Sequence, residues 1–195
     1  MVYNRKSITF AADFKIKGYT GMNKKKVSQD FLHDIITRNG VNITTLAELM
    51  GMSPTMVSGC FKHQKDATGK PRNFPARTIP RLNEAIAQLS EQLAQTQIAF
   101  GSSEAYTNNR GVEYDPATVE PIMALHRYFK LTKFLNNALG WSQNKKSIVL
   151  HTPSSKGYAC VSKKDVERIN AAITEVSILL SGIDVEPADG SSNSI

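Results

Sequence analysis

The sequence predicts a mainly α-helical protein built as two tandem units of three to four helices each, with at most a short β element at the N-terminus. Three observations predict it. Apolar residues recur at spacings of three and four along several stretches, the period of an amphipathic helix. Gly51 separates two short helical patterns at a point where the chain must turn sharply. The second half of the chain also overlays the first at a nearly constant offset, the mark of a repeated unit. With 195 residues and 41% apolar content, the chain can bury a core as one medium domain or two small ones.

Residues 1–26 read as a basic N-terminal arm. Short alternation in Ser7-Ile8-Thr9-Phe10 and Phe14-Lys15-Ile16-Lys17 allows a strand or hairpin there, and Lys24-Lys25-Lys26 closes the arm. A first domain is expected over 27–100. Ser28 opens a helix whose Phe31, Leu32, Ile35 and Ile36 share one face, and Asn39-Gly40 stops it in a left-handed turn. Thr44 is the expected cap of the next helix, which runs through Leu46, Ala47, Leu49 and Met50 to Gly51. Ser53-Pro54 starts a third helix, with serine as cap and proline in the first turn, burying Val57 and either Cys60 or Phe61. After a polar loop from His63 to Asn73, a longer helix carries Ile79, Leu82, Ile86, Leu89 and Leu93.

Residues 101–115 have linker composition and mark the expected domain boundary. A second domain is expected over 116–183, with Val119, Ile122, Met123, His126 and Phe129 on one helix, and then Leu135, Ala138 and Leu139 before Gly140. The last helix starts near Lys163 and carries Val166, Ile169, Ile173, Val176 and Leu180. Residues 184–195 are small, polar and acidic, and are expected to be a disordered tail. His126, on an apolar helix face, reads as a core histidine, and Trp141 as an anchor of the second core or, alternatively, a stacking surface for a base.

Where two helices cross at a tight turn, the first needs a small residue at the crossing, the turn needs a residue tolerant of positive φ, and the second needs a branched apolar anchor. Ala47, Gly51 and Val57 meet these demands, which are those of a helix-turn-helix. A helical hairpin packed for stability alone is the bland alternative. Leu46-Ala47-Glu48-Leu49-Met50-Gly51-Met52-Ser53-Pro54-Thr55-Met56-Val57-Ser58 resembles the helix-turn-helix of lactose-repressor-type DNA-binding headpieces. Phe74-Pro75-Ala76-Arg77-Thr78-Ile79-Pro80-Arg81-Leu82-Asn83-Glu84-Ala85-Ile86-Ala87-Gln88-Leu89 is similar to that family's third helix. The likeness covers about Ile43 to Leu89, with no counterpart of the family's sugar-binding domain or hinge helix.

The repeat pairs Leu46, Gly51, Ser53 and Ser58 with Leu135, Gly140, Ser142 and Ser147 at an offset of 89. It pairs Arg81, Asn83, Ala85 and Ile86 with Arg168, Asn170, Ala172 and Ile173 at an offset of 87. The second copy departs at two points, Asn136 for Ala47 and Lys146 for Val57, so that either Ile148 anchors a shifted helix or this copy has drifted from base reading.

The expected partner is therefore double-stranded DNA, each second helix entering the major groove by its first residues. The expected contact residues are Ser53, Pro54, Thr55, Ser58, Gly59, Lys62 and Arg77 in the first unit, and Gln143, Asn144, Lys145, Lys146 and Ser147 in the second. The resemblance implies that Pro54, Thr55 and Gly59 occupy base-discriminating positions, although none of the three makes the bidentate contacts of Arg, Asn or Gln. Lys65, Lys70 and Arg72, and in the second unit Lys133, Lys156, Lys163 and Lys164, are further candidates for phosphate contact. The net charge of +7 agrees, as does the absence of any acidic residue between Glu120 and Asp165. Two tied units in one chain would imitate a two-fold dimer, and further homodimerisation stays open.

No phosphate-cradling glycine loop, zinc-binding histidine pair or serine elbow occurs, so neither an enzyme nor a metal or cofactor is expected. Cys60 and Cys160 read as reduced thiols, with a disulfide between them as the alternative. No apolar stretch reaches membrane-spanning length, and a cytoplasmic transcriptional regulator is the expectation. The rival reading is a structural or adaptor protein, of a phage or mobile element, that uses the same helices for protein contacts.

Overall fold

The computed structural model describes residues 23–98, 121, 124–139 and 163–188. Among them the chain is mainly helical: β1 (Lys25–Val27), α1 (Gln29–Arg38), α2 (Ile43–Leu49), α3 (Pro54–Phe61), a 3-10 turn (Ala76–Thr78), α4 (Ile79–Gln95), α5 (124–128), α6 (Leu131–Leu139), α7 (Lys163–Ser181) and β2 (Ile183–Val185). None of these helices is long and apolar enough to cross a membrane.

Local chemistry sets the helix ends. The Ser28 hydroxyl accepts the Phe31 N–H at 3.2 Å and starts α1. At its end Gly40 takes φ +65°, while Val41 N–H bonds the Ile36 carbonyl and Gly40 N–H the Thr37 carbonyl, the paired closure of a left-handed cap. The cap of α2 is Asn42, whose side chain accepts Thr44 N–H at 3.1 Å, rather than Thr44 as expected. Asparagine wins because Asn42 keeps the extended backbone a cap needs, with ψ 116°, while Thr44 is already helical.

The turn between α2 and α3 repeats the closure of α1. Gly51 takes φ +62°, Met52 N–H bonds the Ala47 carbonyl at 2.9 Å and Gly51 N–H the Glu48 carbonyl at 3.0 Å. Ser53 then caps α3 through Met56 N–H at 3.3 Å, with Pro54 in the first turn. Ala47 and Val57 are fully buried between the two helices, and Cys60 and Phe61 are both buried behind them.

Apolar residues from both halves form one continuous core. Its largest contact joins α4 to α7. They run antiparallel, because Asn83 near the start of α4 reaches Val185 beyond the end of α7, and Asn170 on α7 reaches Ile98 beyond the end of α4. The stretches expected as separate domains thus share an interior. The periodicity of α4 and α7 shows that each has an apolar stripe but not that the stripes cover one another.

Two expected boundaries move for a related reason. Lys25 and Lys26, placed with the basic arm, and Val27 pair in parallel with Ile183–Val185, and Asp184 and Val185, placed in a disordered tail, lie in that second strand. Val27, Ile183 and Val185 are buried, so burial of three apolar side chains offsets the ordering of both strand segments. The alternating stretches 7–10 and 14–17 and the linker 101–115 lie outside the described residues.

Candidate nucleic-acid interface

The bend at Gly51 turns the first residues of α3 outward. Ser53, Pro54, Thr55 and Met56 are exposed, Ser58 is half-buried, and Val57 behind them is fully buried. Met56, at 51% exposure, is the one large apolar side chain exposed among the described residues. A Cβ on Gly51 would meet nothing within 4 Å, so the bend projects into open space.

Gly59 departs from expectation, since it is buried and presents nothing to a ligand. A Cβ there would lie 3.2 Å from Gln64 Oε1 and 3.8 Å from Arg72 Nη1. Those two side chains, both exposed, lie over the helix where a side chain of residue 59 would otherwise project. Both are types that make bidentate contacts with base edges.

A small hairpin holds them in place. Arg72 N–H bonds the Gln64 carbonyl at 3.0 Å and Asp66 N–H the Lys70 carbonyl at 2.8 Å, flanking the Lys65–Pro71 pair. The Asp66 carboxylate accepts from Thr68 N–H, the Thr68 hydroxyl and Lys70 N–H, and Gly69 turns with φ +81°. The Thr68 hydroxyl bond, chiefly, lowers the Asp66 pKa. Lys62, Lys65 and Lys70 stand exposed beside Arg72, and Arg77 is exposed on the 3-10 turn.

His63 ties the hairpin to α1. Its Nε2 lies 2.7 Å from Asp30 Oδ1 and its Nδ1 2.6 Å from Asn73 Oδ1, and its backbone is left-handed at φ +47°. Only the imidazolium donates to two oxygens at once. The Asp30 hydrogen bond, first among the causes, raises the His63 pKa above its ordinary value. Because the folded value is raised, this stabilisation is complete below the unfolded pKa near 6.5 and disappears as pH climbs through the raised one. His63→Gln is therefore expected to remove a small extra stability seen at pH 5 relative to pH 8, read as the difference in Tm between the two proteins. The effect is small because both side chains are largely solvent-exposed. An identical pH dependence in wild type and variant would contradict the bridge. Burial, the main influence on Cys60, raises its thiol pKa and favours the protonated form.

The structure thus leaves Ser53, Pro54 and Thr55 exposed at the start of α3, Ser58 half-buried along it and Lys62 exposed at its other end, and removes Gly59 from the surface. Gln143, Asn144, Lys145, Lys146 and Ser147 lie outside the described residues, as do Gly140, Trp141, Ile148 and Lys156. Lys133 and Lys164 are exposed, and His126, expected in the core, is exposed as well, because Leu125 and Phe129 on either side of it take the buried positions. Sequence reading missed Gln64 and gave Arg72 only a phosphate role. The available signal was Gly59 itself: a glycine inside a helix often marks a close approach by another group.

Comparison with protein families, with curated proteins and with solved structures gives no match for this chain. Among the described residues no cluster of three or more histidine, cysteine and carboxylate side chains is placed to hold a metal ion.

Proposed function

We propose that the protein binds double-stranded DNA, with α2 and α3 acting as a helix-turn-helix, and that it regulates transcription. The carrying observation is the exposed first turn of α3, fixed by the Gly51 bend, together with a braced hairpin bearing Gln64, Lys65, Lys70 and Arg72 over the last turn of the same helix. In this reading Ser53, Pro54, Thr55 and Ser58 approach the major groove, Met56 meets a thymine methyl, and Lys62, Lys65 and Lys70 face phosphates. The weak base-reading chemistry of α3 is supplemented by the two hairpin side chains over Gly59.

Fluorescence polarisation with random-sequence duplex DNA tests this. Four cations brought to the duplex, Lys62, Lys65 and Lys70 at phosphates and Arg72 at a base edge, would release counterions and give a slope of log K against log salt of about −3 to −4. Affinity is then expected to fall roughly a hundredfold between 50 and 200 mM salt. Absence of binding at low salt would reject the proposal in favour of a protein-contact role, the reading that exposure of Met56 on α3 favours.

A further inference from the structure

Contacts between the two halves are reciprocal. The Ser90 hydroxyl donates to the Ser177 carbonyl at 2.8 Å and the Ser177 hydroxyl to the Ser90 carbonyl at 2.8 Å, across 87 residues. Asn83 clamps the backbone of Val185, donating to its carbonyl at 3.2 Å and accepting its N–H at 2.7 Å. Asn170, which stands 87 residues after Asn83, clamps Ile98, which stands 87 before Val185, donating at 2.9 Å and accepting at 2.9 Å. At a second junction Asn42 N–H bonds the Tyr128 carbonyl and Lys130 N–H the Gly40 carbonyl, on either side of the Val41–Phe129 pair. These residues correspond at an offset of 88.

Such contacts, in which one residue touches the counterpart of its partner and the reverse also holds, define a two-fold interface. Units repeated head to tail by translation do not produce them. The antiparallel run of α4 against α7 fits the same operation, and α6 stands as the counterpart of α2: α2 packs on α4 as α6 packs on α7, and Leu46 and Met50 are buried, as are Leu135 and Leu139 at an offset of 89. Within one chain, then, the halves face each other as the subunits of a symmetric dimer do. Duplex DNA has two-fold axes of its own, perpendicular to the helix, on which such dimers sit.

We infer that the DNA partner is an inverted repeat held by a single chain, with the internal two-fold axis of the fold laid on an axis of the duplex. This rests on the DNA-binding reading above. The α4–α7 contact already supplies the two-fold interface, so no second copy is needed to build it.

Selection of duplexes from a random library with the full chain, followed by native mass spectrometry of the winning complex, tests the inference. The expected result is two half-sites in inverted orientation, one chain per duplex. A direct repeat, a lone half-site or two chains per duplex would overturn the inference while leaving DNA binding intact. Failure to retain any duplex at low salt would overturn both. A parallel measurement needs no DNA: Asn83→Ala and Asn170→Ala are expected to lower Tm by similar amounts, and a large shift from one with none from the other would count against the two-fold relation.

Discussion

Ile173→Ala is expected to destabilise the whole protein by about 2–5 kcal/mol, because it removes a fully buried side chain and leaves a cavity that neighbouring helices fill only in part. For a chain of this size the loss corresponds to roughly 4–20 °C in Tm. The informative part is where the loss appears. Ile173 lies on α7 in the second half, yet α7 packs on α4, and α4 completes the core beneath α2 and α3. Denaturant unfolding should shift to lower midpoint as a single transition with unchanged slope. Amide exchange in α2 and α3 should accelerate together with that in α7, since the weakened unit is the shared core. Two separable transitions, with exchange in α2 and α3 untouched, would mean that the halves fold independently and that the α4–α7 contact is weak.

Arg72→Ala is expected to weaken binding to a selected duplex by roughly 5- to 150-fold, the range for losing one bidentate base contact of about 1–3 kcal/mol. The conservative variant Arg72→Lys separates two roles for this side chain. It keeps the positive charge, so a phosphate contact would be largely restored and all sequences affected alike. If Arg72 reads a base, lysine restores little, and discrimination at one base pair relaxes while the salt slope recovers. Gln64→Ala should relax discrimination at a neighbouring position with no change in salt slope, because a neutral amide releases no counterion. Uniform weakening by Arg72→Ala that lysine fully rescues would move Arg72 back to the phosphate backbone. Circular dichroism checks that the hairpin variants remain folded, as expected for side chains exposed on the surface.

Much of the local structure was legible because its causes are local. Ser28, Ser53 and Pro54 mark helix starts by their own chemistry, and Gly40 and Gly51 mark stops because few other residues adopt positive φ at low cost. The buried series Ile79, Leu82, Ile86, Leu89, Leu93 and Val166, Ile169, Ile173, Val176, Leu180 follow from helical period alone. The interface was legible only in part. Ser53, Pro54 and Thr55 are exposed at the start of α3, but Gly59 is covered by residues five and thirteen positions later, Gln64 and Arg72, whose return depends on a hairpin with no strong strand signal. His126 went wrong because a single helix face read from sequence is wider than the strip its neighbours cover.

By itself the sequence determined where helices begin, where they end and which side of each is apolar, since capping, φ preference and periodicity act within a few residues. Only the tertiary structure decided that the apolar sides of α4 and α7 close on each other, that Lys25–Val27 pairs with Ile183–Val185, and that Ser90 and Ser177 exchange hydrogen bonds. The physical reason is that burial is non-directional: an apolar stripe requires a cover but does not name it, and the choice falls to whichever arrangement also satisfies the buried polar groups between the covers.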